Sequence, residues 1–257
     1  MKQKLLFASA VVAILALSSC KKDDPVPGTN PGTGPGVEKR LKKITKTEAG
    51  VVTVFNLSYN AAGKLVSYKS TDNKEFVLFS YDANGNLATI EEQEADFKNI
   101  YTYTYLNNVP VSATFKSWNI TGGLPGTLIE DDQLAYTVAN NRVSKIKLTM
   151  QGGLETTFNL AYTNGELSKV ASEGPFIYIV DFTYGTKKSV YPKVTSWVLD
   201  QAGFSAQFAA GHEMLKTAFD FPGTVNDYTI DNTYTYDTSG YVLTSNDGFT
   251  QQVFEYE

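Results

Sequence analysis

The stretch Tyr-Asp-Ala-Asn-Gly-Asn-Leu at residues 81–87 recurs in altered form at 59–65 (YNAAGKL) and at 236–242 (YDTSGYV). In each copy, Asp or Asn stands where a type I turn begins and Gly stands at its fourth position. A type I turn followed by a residue in the left-handed region is a common hairpin loop, and glycine adopts that region without steric cost. Each copy therefore predicts a tight β-hairpin.

The residues before these turns alternate between apolar and polar side chains. Phe55, Leu57 and Tyr59 share one face of a predicted strand, and Asn56 and Ser58 share the other. Such alternation with period two is typical of half-buried strands. A tyrosine precedes the turn repeatedly, mostly at intervals close to the length of one hairpin, at positions 59, 81, 105, 136, 162 and 236. Because so long a meander must curl or close to protect its edges, we predict an all-β fold, an antiparallel up-and-down meander of hairpin repeats that forms a wide barrel or a strongly curved sheet.

One long insertion interrupts the repeat before its last copy. Within it, residues 204–217 place Phe204, Phe208 and Leu215 near one helical face, which predicts one short helical insertion. Residues 192–200 are predicted to form a strand that is apolar on both faces, and such a strand needs a cover. We expect the helix to supply that cover.

Residues 1–19 have the composition of a lipoprotein signal peptide. Lys2 and Lys4 form a basic start, and the apolar run 5–17 is too short to span a bilayer as a helix. The signal ends just before Cys20, the only cysteine of the chain. The residues around Cys20 resemble the bacterial lipobox, whose cysteine is lipidated. Two or more acyl chains would hold the protein stably on a membrane. The alternative is a cleaved signal peptide followed by a chance cysteine.

Residues 20–36 join this predicted anchor to the domain. The run Lys21-Lys22-Asp23-Asp24 resembles an export tag that some Gram-negative lineages use to move lipoproteins to the cell surface, and 25–36 is a Pro- and Gly-rich linker. These features predict an outer-membrane location, with the protein lipid-anchored and exposed at the cell surface. Residues 37–257 would then form the β domain.

The composition limits the classes of partner. The formal net charge is −5, and removal of Lys2 and Lys4 with the signal peptide would lower it to −7. Because phosphate backbones are bound by concentrated Lys and Arg, we expect no nucleic-acid partner. No cysteine follows Cys20, so the domain cannot form an intramolecular disulfide.

Few residues suit catalysis or metal binding. His212 is the only histidine; it is predicted to lie on the surface of the short helix, and the sequence offers no nucleophile elbow for a Ser-His-Asp triad. One histidine without a cysteine in the domain leaves too few ligands for a transition-metal site. The acidic clusters 91–96 and 130–132 lack EF-hand spacing and are predicted to be solvated hairpin tips. We therefore predict no catalytic residue, no metal and no cofactor.

Aromatic residues are the most informative candidates for ligand binding. The chain has 16 Tyr, 15 Phe and 2 Trp. Flat aromatic faces with polar rims suit sugar rings, although tyrosine is also a favourable residue on a half-buried strand. Trp118 follows a predicted strand and precedes the Gly-rich loop 121–126, so it is our candidate ligand-binding residue, whereas Trp197 is predicted to lie in the core.

The repeated turn carries a resemblance to known proteins. Residues 81–87 closely resemble the YD repeat of Rhs-type proteins, and 59–65 and 236–242 resemble it in part. With the lipobox and linker before it, the domain at 37–257 is similar to a family of surface lipoproteins of unknown function that have a YD-like, porin-like β domain. The resemblance implies a fold and a location, and it implies no reaction.

We expect a non-enzymatic binding or presentation role at the cell surface, with a glycan or an outer-membrane protein as the partner. One alternative is a carbohydrate-active hydrolase whose carboxylate pair the sequence does not identify. Another is a structural or scaffold lipoprotein that binds another membrane protein. A membrane-spanning barrel would also alternate, but the lipid anchor and the tyrosines along the apolar faces count against it.

Overall fold

The computed structural model describes residues 38–175, 177–200 and 204–257. The predicted signal peptide, Cys20 and the linker lie outside the described residues. Within these ranges the chain forms seventeen strands and one helix of four residues. In chain order they are β1 Leu41–Glu48, β2 Val51–Tyr59, β3 Leu65–Ser70, β4 Phe76–Tyr81, β5 Leu87–Gln93, β6 Phe97–Leu106, β7 Val109–Thr121, β8 Leu124–Ala139, β9 Arg142–Thr149, β10 Glu155–Thr163, β11 Glu166–Glu173, β12 Ile179–Lys188, α1 Ala206–Ala209, β13 His212–Asp220, β14 Tyr228–Asp231, β15 Thr233–Tyr236, β16 Val242–Asn246 and β17 Thr250–Tyr256.

The strands form one antiparallel meander that nearly closes into a barrel. From β1 to β14 each strand pairs with the next along the chain, and β15, β16 and β17 pair in the same way. The last strand, β17, pairs with the first, with Ile44 opposite Phe254. The predicted fold class is therefore confirmed, and of its two forms the barrel is the one adopted.

The barrel is incomplete at Asn232, between β14 and β15, where no ladder joins these two described strands. Asn232 instead donates from its backbone N–H to Leu215 O at 2.8 Å and from Nδ2 to Met214 O at 3.1 Å, both on β13. The two short strands thus act as successive halves of one strand, of which β14 pairs with β13 and β15 pairs with β16. Counted as one, they leave an even number of strands, which a fully antiparallel ring requires.

The two faces of the barrel wall differ in character. Inward side chains are apolar along most of each strand and include the buried residues Leu65, Leu87, Ile90, Ile146 and Val170. Outward side chains are largely polar, and salt bridges join adjacent strands at Lys43–Glu255, Lys98–Glu91, Lys147–Glu155 and Lys169–Asp181. A lipid-facing barrel surface would instead carry an apolar band. In the described part of the chain, no helix has the length and apolar character needed to cross a membrane.

The repeated turns have the predicted geometry. Gly63, Gly85 and Gly240 all have positive φ, at 76°, 82° and 82°. In the central copy the N–H of Gly85 donates to Asp82 O at 3.0 Å, and the N–H of Asn84 donates to Asp82 Oδ1 at 2.9 Å. At each turn the strand register shifts at the tyrosine that precedes the turn, which is the bulge that accompanies this loop type.

The long insertion differs from the sequence prediction in two respects. Residues 192–200 form no strand, and the helix predicted for 204–217 is limited to Ala206–Ala209. The residues from His212 onward form β13, which pairs with β12. The apolar character of 192–200 on both sides arises because this segment lies inside the barrel. The helical spacing at 204–217 was overridden by the ladder that β13 forms with its neighbours.

Candidate ligand-binding site at the barrel mouth

The described residues between β12 and β13, 189–200 and 204–211, form a plug inside one end of the barrel. Phe208 of the plug is fully buried and meets Phe79 of β4 with ring centroids 5.0 Å apart. Tyr191 meets Tyr68 of β3 at 6.3 Å and Phe208 at 5.2 Å. The plug therefore packs against several strands of the wall and fills this end of the barrel with side chains.

Polar contacts fix the path of the plug. The N–H of Phe204 donates to Asp200 Oδ1 at 2.9 Å, and the N–H of Ser205 donates to Asp200 Oδ2 at 2.5 Å. Ser205 Oγ accepts from the N–H of Leu199 at 2.8 Å, and Tyr136 OH on β8 donates to Leu199 O at 2.7 Å. These bonds satisfy backbone groups that lie away from water without a strand ladder, as buried segments require.

Four of the six tyrosines that precede the turns, together with Tyr256 at the end of β17, share one contact, which we call the tyrosine latch. The hydroxyls of Tyr136 and Tyr236 donate elsewhere, to Leu199 O and Glu213 Oε1. The hydroxyl of each latched tyrosine donates to the carbonyl of the first inward residue on the preceding strand. The latches join Tyr59 to Leu41, Tyr81 to Leu65, Tyr105 to Leu87, Tyr162 to Val143 and Tyr256 to Val242. The latch explains why tyrosine, and not phenylalanine, recurs at this position.

Tyr184 on β12 breaks the latch pattern. By analogy its partner would be Leu167 O on β11, but its buried hydroxyl has no hydrogen-bond partner among the described residues. An unpaired buried hydroxyl costs free energy, so such a group needs a particular reason. Tyr184 lines a cavity beside the plug, so its unpaired hydroxyl belongs to a residue of that cavity wall.

Two cavities meet at the plug and form what we call the mouth site. The larger, about 290 Å³, is lined by Lys64, Tyr105 and the plug. The smaller, about 150 Å³, is lined by Arg142, Tyr184 and the plug. Both cavities share the plug residues Lys193, Ser196 and Trp197. The mouth site thus combines one indole ring with cationic and hydroxyl groups.

The structure places the two tryptophans in different surroundings. Trp197 was predicted to be a core residue, but it is only partly buried and lines both cavities. Trp118 lies on the outward face of β7, opposite Lys98 of β6, and is not among the residues that line either cavity. Whether Trp118 binds a ligand stays a prediction. The sequence predicted a core position for Trp197 because Val194, Val198 and Leu199 make the segment 192–200 apolar on both predicted faces.

His212 lies at the start of β13 and not on a helix. Its Nδ1 lies 3.0 Å from Glu166 Oε1, which also accepts the N–H of Gly211 at 3.0 Å. Glu166 lines the smaller cavity, whereas His212 is about half exposed. Both partners of Glu166 therefore lie at the junction of the plug and β13, and the contact ties the plug to β11.

The acidic clusters are not simply solvated tips. Burial raises the pKa of Glu92 to about 7, the nearby Glu94 and Asp200 adding to the rise, while Asn99 Nδ2 donates to Glu92 at 3.1 Å and opposes it. Burial, with the charge of Asp132, likewise raises the pKa of Glu130 to about 7. Glu91, which precedes Glu92 in the chain, faces outward and pairs with Lys98. In the described part of the chain, no three His, Cys, Asp or Glu side chains are grouped to hold a metal ion.

Comparisons with known proteins place the fold in a structural class. The structure is similar to a porin-like protein from Bacteroides uniformis, with 16% identity and a TM-score of 0.50 over 84% of this chain and 96% of that one. It is also similar to a porin-like protein from Bacteroides vulgatus, with 11% identity and a TM-score of 0.56 over 86% of this chain and 99% of that one. No protein-family model and no curated protein matches the sequence. The chain therefore has a porin-like β-barrel fold.

Proposed function

We propose that this protein is a lipid-anchored cell-surface protein that binds a saccharide, without cleaving it, at the mouth site. The observation that carries this proposal is the meeting of two cavities at Trp197, with Ser196, Lys193 and the unpaired Tyr184 hydroxyl around them. An indole ring packs against sugar C–H groups, and polar groups at the rim can bond sugar hydroxyls.

Attachment through Cys20 accords with the character of the barrel wall. The outward face carries ion pairs such as Lys43–Glu255 and Lys98–Glu91, which are costly to place in lipid. A polar barrel on the linker 20–36 would be held beside the membrane without crossing it. The turns that resemble YD repeats would then build the barrel, and Lys64 and Gly85 of two of these turns line the larger cavity.

Binding is favoured over hydrolysis by the carboxylates of the mouth site. A glycosidase places two carboxyl groups on either side of the scissile bond. Among the described residues, Glu166 is the only carboxylate that lines the two cavities, and its Oε1 is occupied by Gly211 and His212. Glu92 and Glu130 have the raised pKa of a general acid, but neither lines these cavities.

A second candidate function is docking of another protein at the opposite rim of the barrel. The loops there carry exposed apolar side chains, whose exposed fractions reach 98% for Val225 and 70% for Leu124. Apolar residues on several loops of one rim fit a partner surface better than isolated exposed residues would. This observation supports the scaffold role as the alternative.

The saccharide proposal is tested by thermal unfolding of the full chain with a panel of oligosaccharides. A ligand that binds only the folded state raises the melting temperature as its concentration rises. We expect Trp197→Ala to abolish the rise and Trp118→Ala, its matched control on the outer wall, to leave it. Loss of the rise in Trp118→Ala alone would move the site to the outer wall. No rise with any saccharide would contradict the proposal and turn attention to the apolar rim.

The anchoring proposal is tested separately by labelling cells with a radioactive fatty acid. We expect the wild-type chain to incorporate the label, and Cys20→Ser to lose both the label and its association with membranes. External protease should digest the wild-type protein on intact cells if it faces outward. A labelled protein that resists protease until cells are lysed would place the barrel on the inner side.

A further inference from the structure

The mouth site holds three cations that no described carboxylate neutralises. Lys64 lines the larger cavity, Arg142 lines the smaller one, and Lys193 lines both. Most other lysines and arginines of the described chain form salt bridges. A cluster of unpaired cations is unexpected in a protein whose net charge is −5. The positive charge of the mouth site is therefore a local feature and not a reflection of composition.

The repeat architecture places two of these cations. Lys64 Nζ donates to Gly85 O and lies 4.7 Å from the ring centroid of Tyr81. The Arg142 guanidinium lies 5.1 Å from the ring centroid of Tyr162. Both rings are held by latches, so each cation rests on a fixed aromatic surface. The two charges are thus positioned beside the cavities before any ligand arrives.

The nearest carboxylate does not cancel this charge. Glu166 forms no salt bridge with Lys193 or Arg142, and its Oε1 already accepts from Gly211 and faces His212 Nδ1. Tyr184 lines the same cavity, and its buried hydroxyl has no hydrogen-bond partner among the described residues. The site therefore offers positive charge and a hydroxyl donor together, which is the complement of an anionic oxygen group.

We propose that the saccharide bound at the mouth site is acidic and carries carboxylate or sulfate groups. Lys193, at the junction of the two cavities, would bind such a group, with Lys64 and Arg142 on either side. Tyr184 OH would donate a hydrogen bond, and Trp197 would pack against a sugar ring. This inference rests on the proposed saccharide-binding function and specifies the class of saccharide.

The test compares charged and uncharged forms of one sugar chain. Binding of oligogalacturonate and of its methyl ester to the full chain would be measured by calorimetry, with dextran sulfate and dextran as a second matched pair. We expect the charged member of at least one pair to bind more tightly. Lys193→Gln should weaken that binding by about tenfold or more, as loss of a charge-assisted contact predicts.

Two controls separate a site from general attraction of a polyanion. Lys145→Gln removes an exposed lysine on β9 that forms no salt bridge with any described residue, and it should leave binding unchanged. Trp197→Ala should abolish binding. Each variant would first be checked for an unchanged melting temperature without ligand, and Lys193→Arg, which keeps the charge, should retain most of the affinity.

The other possible outcomes would refute the acidic ligand, the binding site or both proposals. Equal binding of charged and uncharged sugars, lost in Trp197→Ala but kept in Lys193→Gln, would refute an acidic ligand and leave the saccharide site standing. Equal weakening by Lys145→Gln and Lys193→Gln would show attraction to the whole surface and refute the site. Binding of no saccharide in either pair, or in the wider panel, would refute both proposals.

Discussion

At the scale of single residues, the tyrosine latch shows why one side chain recurs along the chain. The ring of Tyr81 lies against the apolar interior, while its hydroxyl reaches back across one hairpin to Leu65 O at 2.7 Å. Such a side chain stabilises the end of its strand in two ways, because the ring is buried and the hydroxyl is hydrogen-bonded. Burial raises the pKa of Tyr81 to about 12, so it stays protonated and able to donate at neutral pH.

The latch predicts a difference between two otherwise similar substitutions. Tyr81→Phe removes one hydrogen bond and should lower the free energy of unfolding by about 1 kcal/mol. Tyr184→Phe removes a hydroxyl that has no described partner, so it should change stability little or raise it. Urea unfolding measures both changes in the free energy of unfolding, provided that its dependence on urea concentration is the same in each variant. A larger loss in Tyr184→Phe than in Tyr81→Phe would contradict the assignment of the latch.

A second prediction at this scale concerns pH. Burial raises the pKa of Glu92 to about 7, above the ordinary value of 4.5, so the folded state holds this proton more tightly than the unfolded state does. Stability from this group is therefore fully present at low pH and is lost as the pH rises from about 4.5 to about 7. Glu92→Gln should remove a fall in unfolding free energy of up to about 3 kcal/mol between about pH 5 and about pH 8.

Urea unfolding across that pH range measures the effect of Glu92. Glu91→Gln provides the control, because Glu91 faces outward on the same strand and is paired with Lys98. We expect its pH dependence to match that of the wild-type protein. An unchanged pH profile in Glu92→Gln would mean that the carboxylate is solvated in the folded state.

At the scale of the element, the hairpin turn works because its last residue takes a conformation that few side chains tolerate. Gly63 has a φ of 76°, and an added Cβ there would meet no atom within 4 Å. A substitution at Gly63 therefore tests backbone strain without a steric clash. The comparable Gly85 is less suitable, because an added Cβ would lie 2.7 Å from Lys64 Nζ at the mouth site.

Gly63→Ala should lower the free energy of unfolding by about 1 kcal/mol, which is the usual cost of placing a Cβ in the left-handed region. Gly63→Asn should cost less, because asparagine enters that region more readily. Thermal unfolding of both variants checks the order. If alanine were tolerated as well as asparagine, the loop would not need its left-handed residue.

At the scale of the whole molecule, the plug takes the place of a conventional core. The barrel wall is one sheet, and its inward side chains need atoms to pack against at the centre. Phe208 supplies some of them, because it is fully buried and contacts the rings of Phe79, Tyr191 and Phe204. The mouth site lies where this packed plug meets the turns.

Phe208→Ala should therefore be strongly destabilising, by about 3–5 kcal/mol, because it leaves a cavity that the ring-shaped wall cannot easily close. Phe249→Ala is the matched control, because Phe249 is half exposed on a loop. Urea unfolding distinguishes them. A small effect of Phe208→Ala would indicate that the plug is not part of the cooperative fold.

The sequence by itself determined the local features of the molecule. The turns at 59–65, 81–87 and 236–242 and nearly all the strands follow from residues adjacent in the chain, because turn chemistry and side-chain alternation act over a few positions. The all-β meander follows from joining these hairpins.

Only the tertiary structure decided features that depend on residues far apart in the chain. The pairing of β1 with β17, the burial of residues 189–200 and 204–211 as a plug and the position of Trp197 beside both cavities arise only when the ring forms. The apolar pattern of 192–200 resembles a covered strand as much as an interior loop, because periodicity reports burial and not the element that is buried. The mouth site has the same origin, since Lys64, Arg142 and Lys193 come together only across a nearly closed barrel.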